Sequence, residues 1–437
     1  GTAGDYEMTF NGTSSATPHV AGIAALIKAY RPDLSNTEIR RRIETTADKV
    51  GTVPYANQAG FPNGTRNDEM GYGRVNARRA LLEGSAGAFA DSAAQSTADL
   101  TGDKRADIVG FGDQGVWVSL NNGNGTFQPA VKALSNFAYS AGGWRVEKHP
   151  RFLADLTADG RADIVGFGDQ GVWVSLNNGN GTFQPPTKVL DNFAYTAGGW
   201  RVEKHPRFLA DLTGDSRADI VGFGDQGVWV SLNNGNGTFQ PPTMVLGNFA
   251  YTAGGWRVEK HPRFLADLTG DGRADIVGFG DQGVWVSLNN GNGTFQPPTK
   301  VLSNFAYTAG GWRVEKHPRL LADLTGDKRA DIVGFGDGGV WVSLNNGNGT
   351  FQAPTNVLAN FAYTAGGWRV EKHPRFLADL TGDSRSDILG FGSAGVWESL
   401  NNGNATFQPA AKVLSNFSYD AGGWRVEKHP RFVAGPR

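Results

Sequence analysis

The sequence predicts a mainly β protein, a β-propeller of six 56-residue, four-stranded repeats making six or seven blades, preceded by a helix-rich segment. Three observations predict it. From Asp99 onward the string ADLTGDKRADIVGFGDQGVWVSLNNGNGTFQ returns every 56 residues, led by Asp99, Asp155, Asp211, Asp267, Asp323 and Asp379. Each copy holds short runs of β-branched and aromatic residues that alternate with period two and are bounded by turn residues. The 62 glycines, about twice the usual share, follow no collagen-like period and call for many tight turns.

Taken in chain order, residues 1–83 differ in kind from the rest. TPHVAGIAALIKAYRP has apolar residues at helical spacing, with Pro18 near its start. LSNTEIRRRIETTA opens with a Ser35-x-x-Glu38 capping box. GRVNARRALLEG reads as a third helix, with Asn76 as its cap and Gly84 as its stop. The small, polar stretch 84–98 reads as a linker, and 99–437 holds the repeats.

Within a repeat, ADIVGFG and GVWVSLN read as strands joined by the tight Asp-Gln turn. NNGNG is a second turn, leading into TFQPPTKVL, whose prolines suit an edge strand. The long loop NFAYTAGGW then feeds RVEKHPRFLADL, the fourth strand, which would place Arg145, Glu147 and His149 on one strand face. Trp117 and its equivalents are expected to pack between blades. Antiparallel alternation puts the Asp-Gln turn and the aromatic loop on one face of the ring, and the NNGNG turn and the LTGDxRAD loop on the other.

Bulk properties exclude several classes. A net charge of -1 gives no general pull toward nucleic acid or anionic membranes. With no cysteine there is no disulfide, thiol catalysis or cysteine-metal site. No run approaches the roughly 18 apolar residues of a membrane span. The first residue is Gly1, with no signal-like segment after it, so the chain is expected to start mid-gene or after processing.

The first stretch that looks like chemistry is NGTSSATPHVAG, residues 11–22. It sets a hydroxyl at a loop-to-helix junction, where N–H groups and the helix dipole favour developing negative charge. A serine attacks only when a base takes its proton, so Ser14 and Thr17 are equally readable as helix caps. Residues Gly12–Gly22 closely resemble the nucleophile motif of subtilisin-like serine proteases, and GYGRVNARRAL resembles the end of that domain. The resemblance implies that 1–83 is the C-terminal fragment of an α/β subtilase domain, with Ser14 as nucleophile and His19 as a packing residue. In that family the aspartate, the histidine and the oxyanion-hole asparagine precede the serine. They are expected upstream of Gly1, and none of the seven histidines here fits the base. By itself the chain is expected not to hydrolyse peptides.

The repeat loop D-L-T-G-D-x-R-A-D places oxygen ligands at relative positions 1, 3, 5 and 9, like the start of a calcium loop. A glycine at position 6 eases the turn only at Gly160 and Gly272. The candidate calcium ligands are therefore Asp155, Thr157, Asp159 and Asp163, and Asp267, Thr269, Asp271 and Asp275. The alternative is a hydrogen-bonded Asx turn carrying an Asp–Arg pair. No organic cofactor is implied.

The loop NFAYTAGGW offers flat, amphipathic rings beside Asp, Gln and Arg. Candidate sugar-binding residues are Tyr139, Trp144, Tyr195, Trp200, Tyr251, Trp256, Tyr307, Trp312, Tyr363, Trp368, Tyr419 and Trp424; the alternative makes them wedges between blades. AGGWRVEKHPRFLADLTGDGRADIVGFGDQGVWVSLNNGNGTF is very similar to the repeats of the Psathyrella velutina lectin, with its integrin-like FG-GAP/VCBS-type repeats. That resemblance implies pockets between consecutive blades for N-acetylglucosamine or sialylated glycans. The lectin has seven blades and the sequence supplies six repeats. A six-bladed ring, a blade beyond Arg437 and a degenerate blade from GAFADSAAQSTA all remain open, and strand exchange would pair RFVAG with the first repeat. The whole reads as the C-terminal portion of a secreted endopeptidase with glycans and protein substrates as partners. The alternatives are a lectin with an inactive protease remnant and a structural or protein-docking propeller.

Overall fold

The computed structural model describes residues 13–30, 35–45, 54–58, 61–69, 71–75, 99–103, 107–122, 128–146, 148–415 and 417–424, with Ala47, Ala77, Ala80, Val426 and Arg431. The chain forms two compact units, Gly1–Gly84 and Ser85–Arg437.

In the first unit α1 spans Thr13–Tyr30 and α2 spans Asn36–Thr45. Pro18 lies inside α1 and removes one backbone donor there. The capping box of α2 forms as expected: the Ser35 N–H donates to the Glu38 carboxylate at 2.7 Å, and the Glu38 N–H donates to Ser35 Oγ at 3.3 Å. Ile27 and Ile39 bring the two helices together around Ala80, which is fully buried. Ala77 and Ala80 are helical, whereas Asn76 and Gly84, the expected ends of the third helix, lie outside the described residues. So does the whole of the expected linker 84–98. β1 (Ala56–Gln58) pairs antiparallel with β2 (Phe61–Arg66).

The second unit is a propeller, and its blade at 151–190 stands for the others. An inner strand Arg151–Ala154, a second strand Asp163–Phe167, a third strand Val172–Ser175 and an outer strand Thr187–Leu190 run antiparallel in that order. The first two are buried along their whole length, and the outer strand is half exposed. Pro185 and Pro186 stand just before the outer edge, where a missing N–H costs the ladder nothing. Cores form between consecutive blades: Trp173 of this blade packs against the cluster of blade one.

The ring closes with six blades. Blade one supplies three strands of its own, Ile108–Phe111, Val116–Ser119 and Val131–Leu134. Arg431 bridges Gly110 as Arg151 bridges Gly166, and its guanidinium donates to Phe417 O at 2.7 Å as Arg207 does to Phe193 O at 2.8 Å. The core of blade one includes Phe376, Phe391 and Val396 from the far end of the chain. The strand-exchange expectation for RFVAG therefore holds at Arg431.

One strand is shorter than its pattern. RVEKHP folds into a turn in which the Lys204 and His205 N–H groups donate to Arg201 O at 3.2 and 2.7 Å. The ring of His205 accepts the Arg201 N–H at 3.1 Å and folds the segment back. Arg145 and His149 are joined in the same way, at 3.0 Å, so they share a turn and not a strand face; Glu147 lies outside the described residues.

Candidate functional site

On one face of the ring, each Asp-Gln turn is tied to the aromatic loop of its blade. The Tyr251 N–H donates to Gly224 O at 3.1 Å and the Thr252 N–H to Asp225 O at 2.8 Å. Tyr251 therefore stands beside Asp225. Its ring lies between two cations, with Arg257 Cζ 3.8 Å and Lys204 Nζ 4.6 Å from the centroid.

Asp225 is half exposed and accepts a hydrogen bond from His205 Nε2 at 3.0 Å. The tautomer follows from the other ring nitrogen: Nδ1 accepts the Arg201 N–H, so Nε2 carries the proton. Burial holds the imidazole below its usual pKa, against the opposing pull of Asp225. The hydrogen bond from His205 in turn holds the Asp225 carboxyl below its usual range. The face thus presents an ionised carboxylate with free lone pairs, a neutral histidine, a tyrosine and two cations. The His–Asp bond recurs at His261–Asp281 and His317–Asp337, both at 3.0 Å, and His149 Nε2 approaches Asp169 at 3.1 Å.

The aromatic pairs singled out in the sequence divide. Tyr139 is 47% exposed, and Tyr195, Tyr251, Tyr307, Tyr363 and Tyr419 are partly exposed. Trp144, Trp200, Trp256, Trp312 and Trp368 are only 5–7% exposed. Trp256 packs between Phe249 at 4.8 Å and His261 at 5.6 Å, with its Nε1–H donating to Asn248 Oδ1 at 3.3 Å. A Cβ added at Gly278 would lie 2.5 Å from Trp256 Cη2, so the glycine is the seat of the indole. Trp424 takes the same place over Gly110 at the closure. Trp144, Trp200, Trp256, Trp312 and Trp368 are wedges between blades, while Trp424 is partly exposed, as the tyrosines are. Sequence reasoning passed over Lys204 and the His205–Asp225 pair; a spacing of 20 residues, constant from His149–Asp169 to His317–Asp337, was the available signal.

On the opposite face the carboxylates have local partners. Asp155 accepts the N–H groups of Thr157, Ala158 and Gly160 at 3.0, 2.8 and 2.9 Å, and Asp159 binds Arg161. Asp163 accepts the Leu156 and Asn177 N–H groups at 3.0 and 2.8 Å. In the other candidate loop Asp267 accepts Thr269, Gly270 and Gly272, Asp271 binds Arg273, and Asp275 accepts Leu268 and Asn289. Among the described residues no three carboxylate or imidazole groups converge as a metal centre requires. The hydrogen bonds present are those of the Asx turn with its Asp–Arg pair. They also join blades, because Asn233 Nδ2 donates to Leu156 O of the preceding blade at 3.0 Å. Chelation of divalent cations is expected to leave the propeller's melting temperature unchanged, as read by calorimetry; a fall of several degrees would restore the calcium reading.

Ser14 falls in the first turn of α1, with its side chain outside the described residues, and His19, expected to pack, is exposed. No described helix is long and apolar enough to cross a membrane.

Comparison with known proteins assigns both units. The subtilase family matches residues 2–73. The FG-GAP-like repeat family matches 99–147, 155–203, 211–259, 267–315 and 323–372. Alkaline elastase YaB of Bacillus sp. (strain YaB) is 50% identical over 50 residues, 11% of this chain and 13% of the elastase. A calcium-dependent protease of Trichormus variabilis is 39% identical over 79 residues, 18% of this chain and 11% of that protein. The chain thus spans about an eighth of the length of the curated relatives it matches. Among solved structures, a lectin of Agrocybe aegerita, described as specifically recognising non-reducing terminal N-acetylglucosamine, is 53% identical. It superposes with a TM-score of 0.68 over 78% of this chain and 84% of the lectin.

Proposed function

Because this chain belongs to the FG-GAP-like repeat family and opens with a subtilase segment, we propose that its propeller binds glycans ending in N-acetylglucosamine and holds a serine endopeptidase on glycosylated surfaces. The observation that carries this reading is the partly exposed cluster of Tyr251, Asp225, Lys204 and Arg257, repeated around Tyr195, Tyr307 and Tyr363, in a fold shared with the Agrocybe lectin. Sugar hydroxyls donate to the Asp225 carboxylate, while Lys204 and Arg257 donate to hydroxyl or acetamide oxygens. The exposed edge of Tyr251 supplies the apolar contact that a sugar ring or an acetamide methyl needs. The same two cations would receive the carboxylate of a sialylated glycan. Several equivalent weak sites on one face gain apparent affinity on a multivalent surface without any new contact.

The protease part of the proposal rests on the subtilase match, with Ser14 as its nucleophile and a protein as its substrate. Such a protease on a glycan surface works outside the cell, where local substrate concentration is raised by retention. The test is passage of the folded chain over immobilised N-acetylglucosamine. Retention that free sugar reverses, and that Tyr251→Ala weakens, is the expected result. A folded chain that flows through would make the propeller a structural or protein-docking platform.

A further inference from the structure

The six blades are not chemically equivalent on the proposed sugar-binding face. Blades two to five carry Asp169-Gln170, Asp225-Gln226, Asp281-Gln282 and Asp337-Gly338 in the turn, and blade one carries Asp113-Gln114. Blade six carries Ser393-Ala394 instead. There His373 Nε2 meets Ser393 Oγ at 2.9 Å and no carboxylate. The loop changes as well: Thr196, Thr252, Thr308 and Thr364 give way to Asp420, whose N–H still donates to Ser393 O at 2.8 Å. The frame is otherwise kept, with Lys372 Nζ 5.0 Å from the Tyr419 ring and Trp424 over Gly110.

We infer that blade six retains the scaffold of the site without its ligand-binding chemistry, so that one chain takes five N-acetylglucosamine groups and not six. The inference rests on the reading of Asp225 and its equivalents as the acceptors of sugar hydroxyls. An ionised carboxylate accepts from two hydroxyls in charge-assisted bonds, which are roughly twice as strong as neutral ones. Ser393 offers a single hydroxyl, already engaged with His373. The carboxylate that blade six does possess, on Asp420, starts from the aromatic loop and not from the turn, next to Tyr419, and is exposed. A sugar seated against Tyr419 would find an acceptor displaced from the place it has in the other blades.

The test counts sites on the full chain by equilibrium dialysis with a labelled methyl glycoside of N-acetylglucosamine. Three proteins are compared: the wild type, the double variant Ser393→Asp/Ala394→Gln, and Asp225→Ser. Each variant writes one blade's own turn residues into another blade, so both side chains already have a place in this fold. The expected counts are five, six and four. Six sites in the wild type, or no gain in the double variant, would overturn the inference while leaving glycan binding in place. No binding by any of the three, with native circular dichroism, would sink the underlying sugar-binding reading instead.

Discussion

Replacing Trp256 by alanine is expected to destabilise the propeller by about 3–5 kcal/mol while sparing the sugar-binding face. The indole is 6% exposed and fills the space between the loop that leaves one blade and the second strand of the next. Its removal leaves a cavity bounded by Phe249, His261 and the bare backbone of Gly278. That backbone has no side chain to move in, so the site collapses poorly and the cost falls at the upper end of the range. Asn248 Oδ1 also loses its indole donor. Because each blade buries its apolar face only against its neighbours, the loss is felt as weakened stacking along the ring. The midpoint of urea unfolding measures it. An unchanged midpoint together with lost retention on N-acetylglucosamine would return the indole to the role of a sugar platform.

The fate of Trp256 shows what the sequence could and could not settle. Strand order, turn positions and the two faces of the ring follow from period-two patterns and turn residues, and the structure reproduces them; the register, with Arg207 opposite Gly222, is added by the structure. The place where a six-bladed ring would close was legible too, because Arg431 repeats Arg151, whereas the blade count stayed open between six and seven. Burial of a loop residue was not legible. Tyr251 and Trp256 stand five residues apart in one glycine-rich loop, and both suit a wedge or a sugar. What separates them is the empty seat at Gly278, a residue 22 positions further on that meets the indole only in three dimensions. The aspartate loop was legible only as a turn, for a related reason. Its spacing matches a cation loop and an Asx turn alike, and only the folded turn shows that Asp155 accepts three backbone N–H groups.

Substituting Asp219 by asparagine is expected to tilt the pH dependence of stability. Asp219 is 1% exposed and accepts the N–H groups of Leu212 and Asn233 at 3.0 and 2.8 Å. Those two bonds favour the carboxylate, but burial outweighs them and raises its pKa to about 7. The folded chain therefore holds a proton that the unfolded chain releases near 3.8. The contribution of this group is fully present below that value and is lost as pH rises through about 7. The buried histidines act with the opposite sign. His373, with no carboxylate beside it, is pushed down to about 4 by burial and by the cations around it. Its neutral form supports the fold above about 6.5, and that support is lost as pH falls through about 4. Between pH 4 and 6 the two sets oppose one another, so the wild type should show a shallow profile. Asp219→Asn removes one falling contribution. Its unfolding free energy should then change with pH more positively than the wild type's, by about 1.4 kcal/mol per pH unit across that range. The comparison uses slopes, so the fixed cost of placing an amide NH₂ against a backbone donor drops out. Parallel profiles for the two proteins would mean that the two N–H donors keep Asp219 ionised in the fold, and that these carboxylates serve as charged staples between turns at every physiological pH.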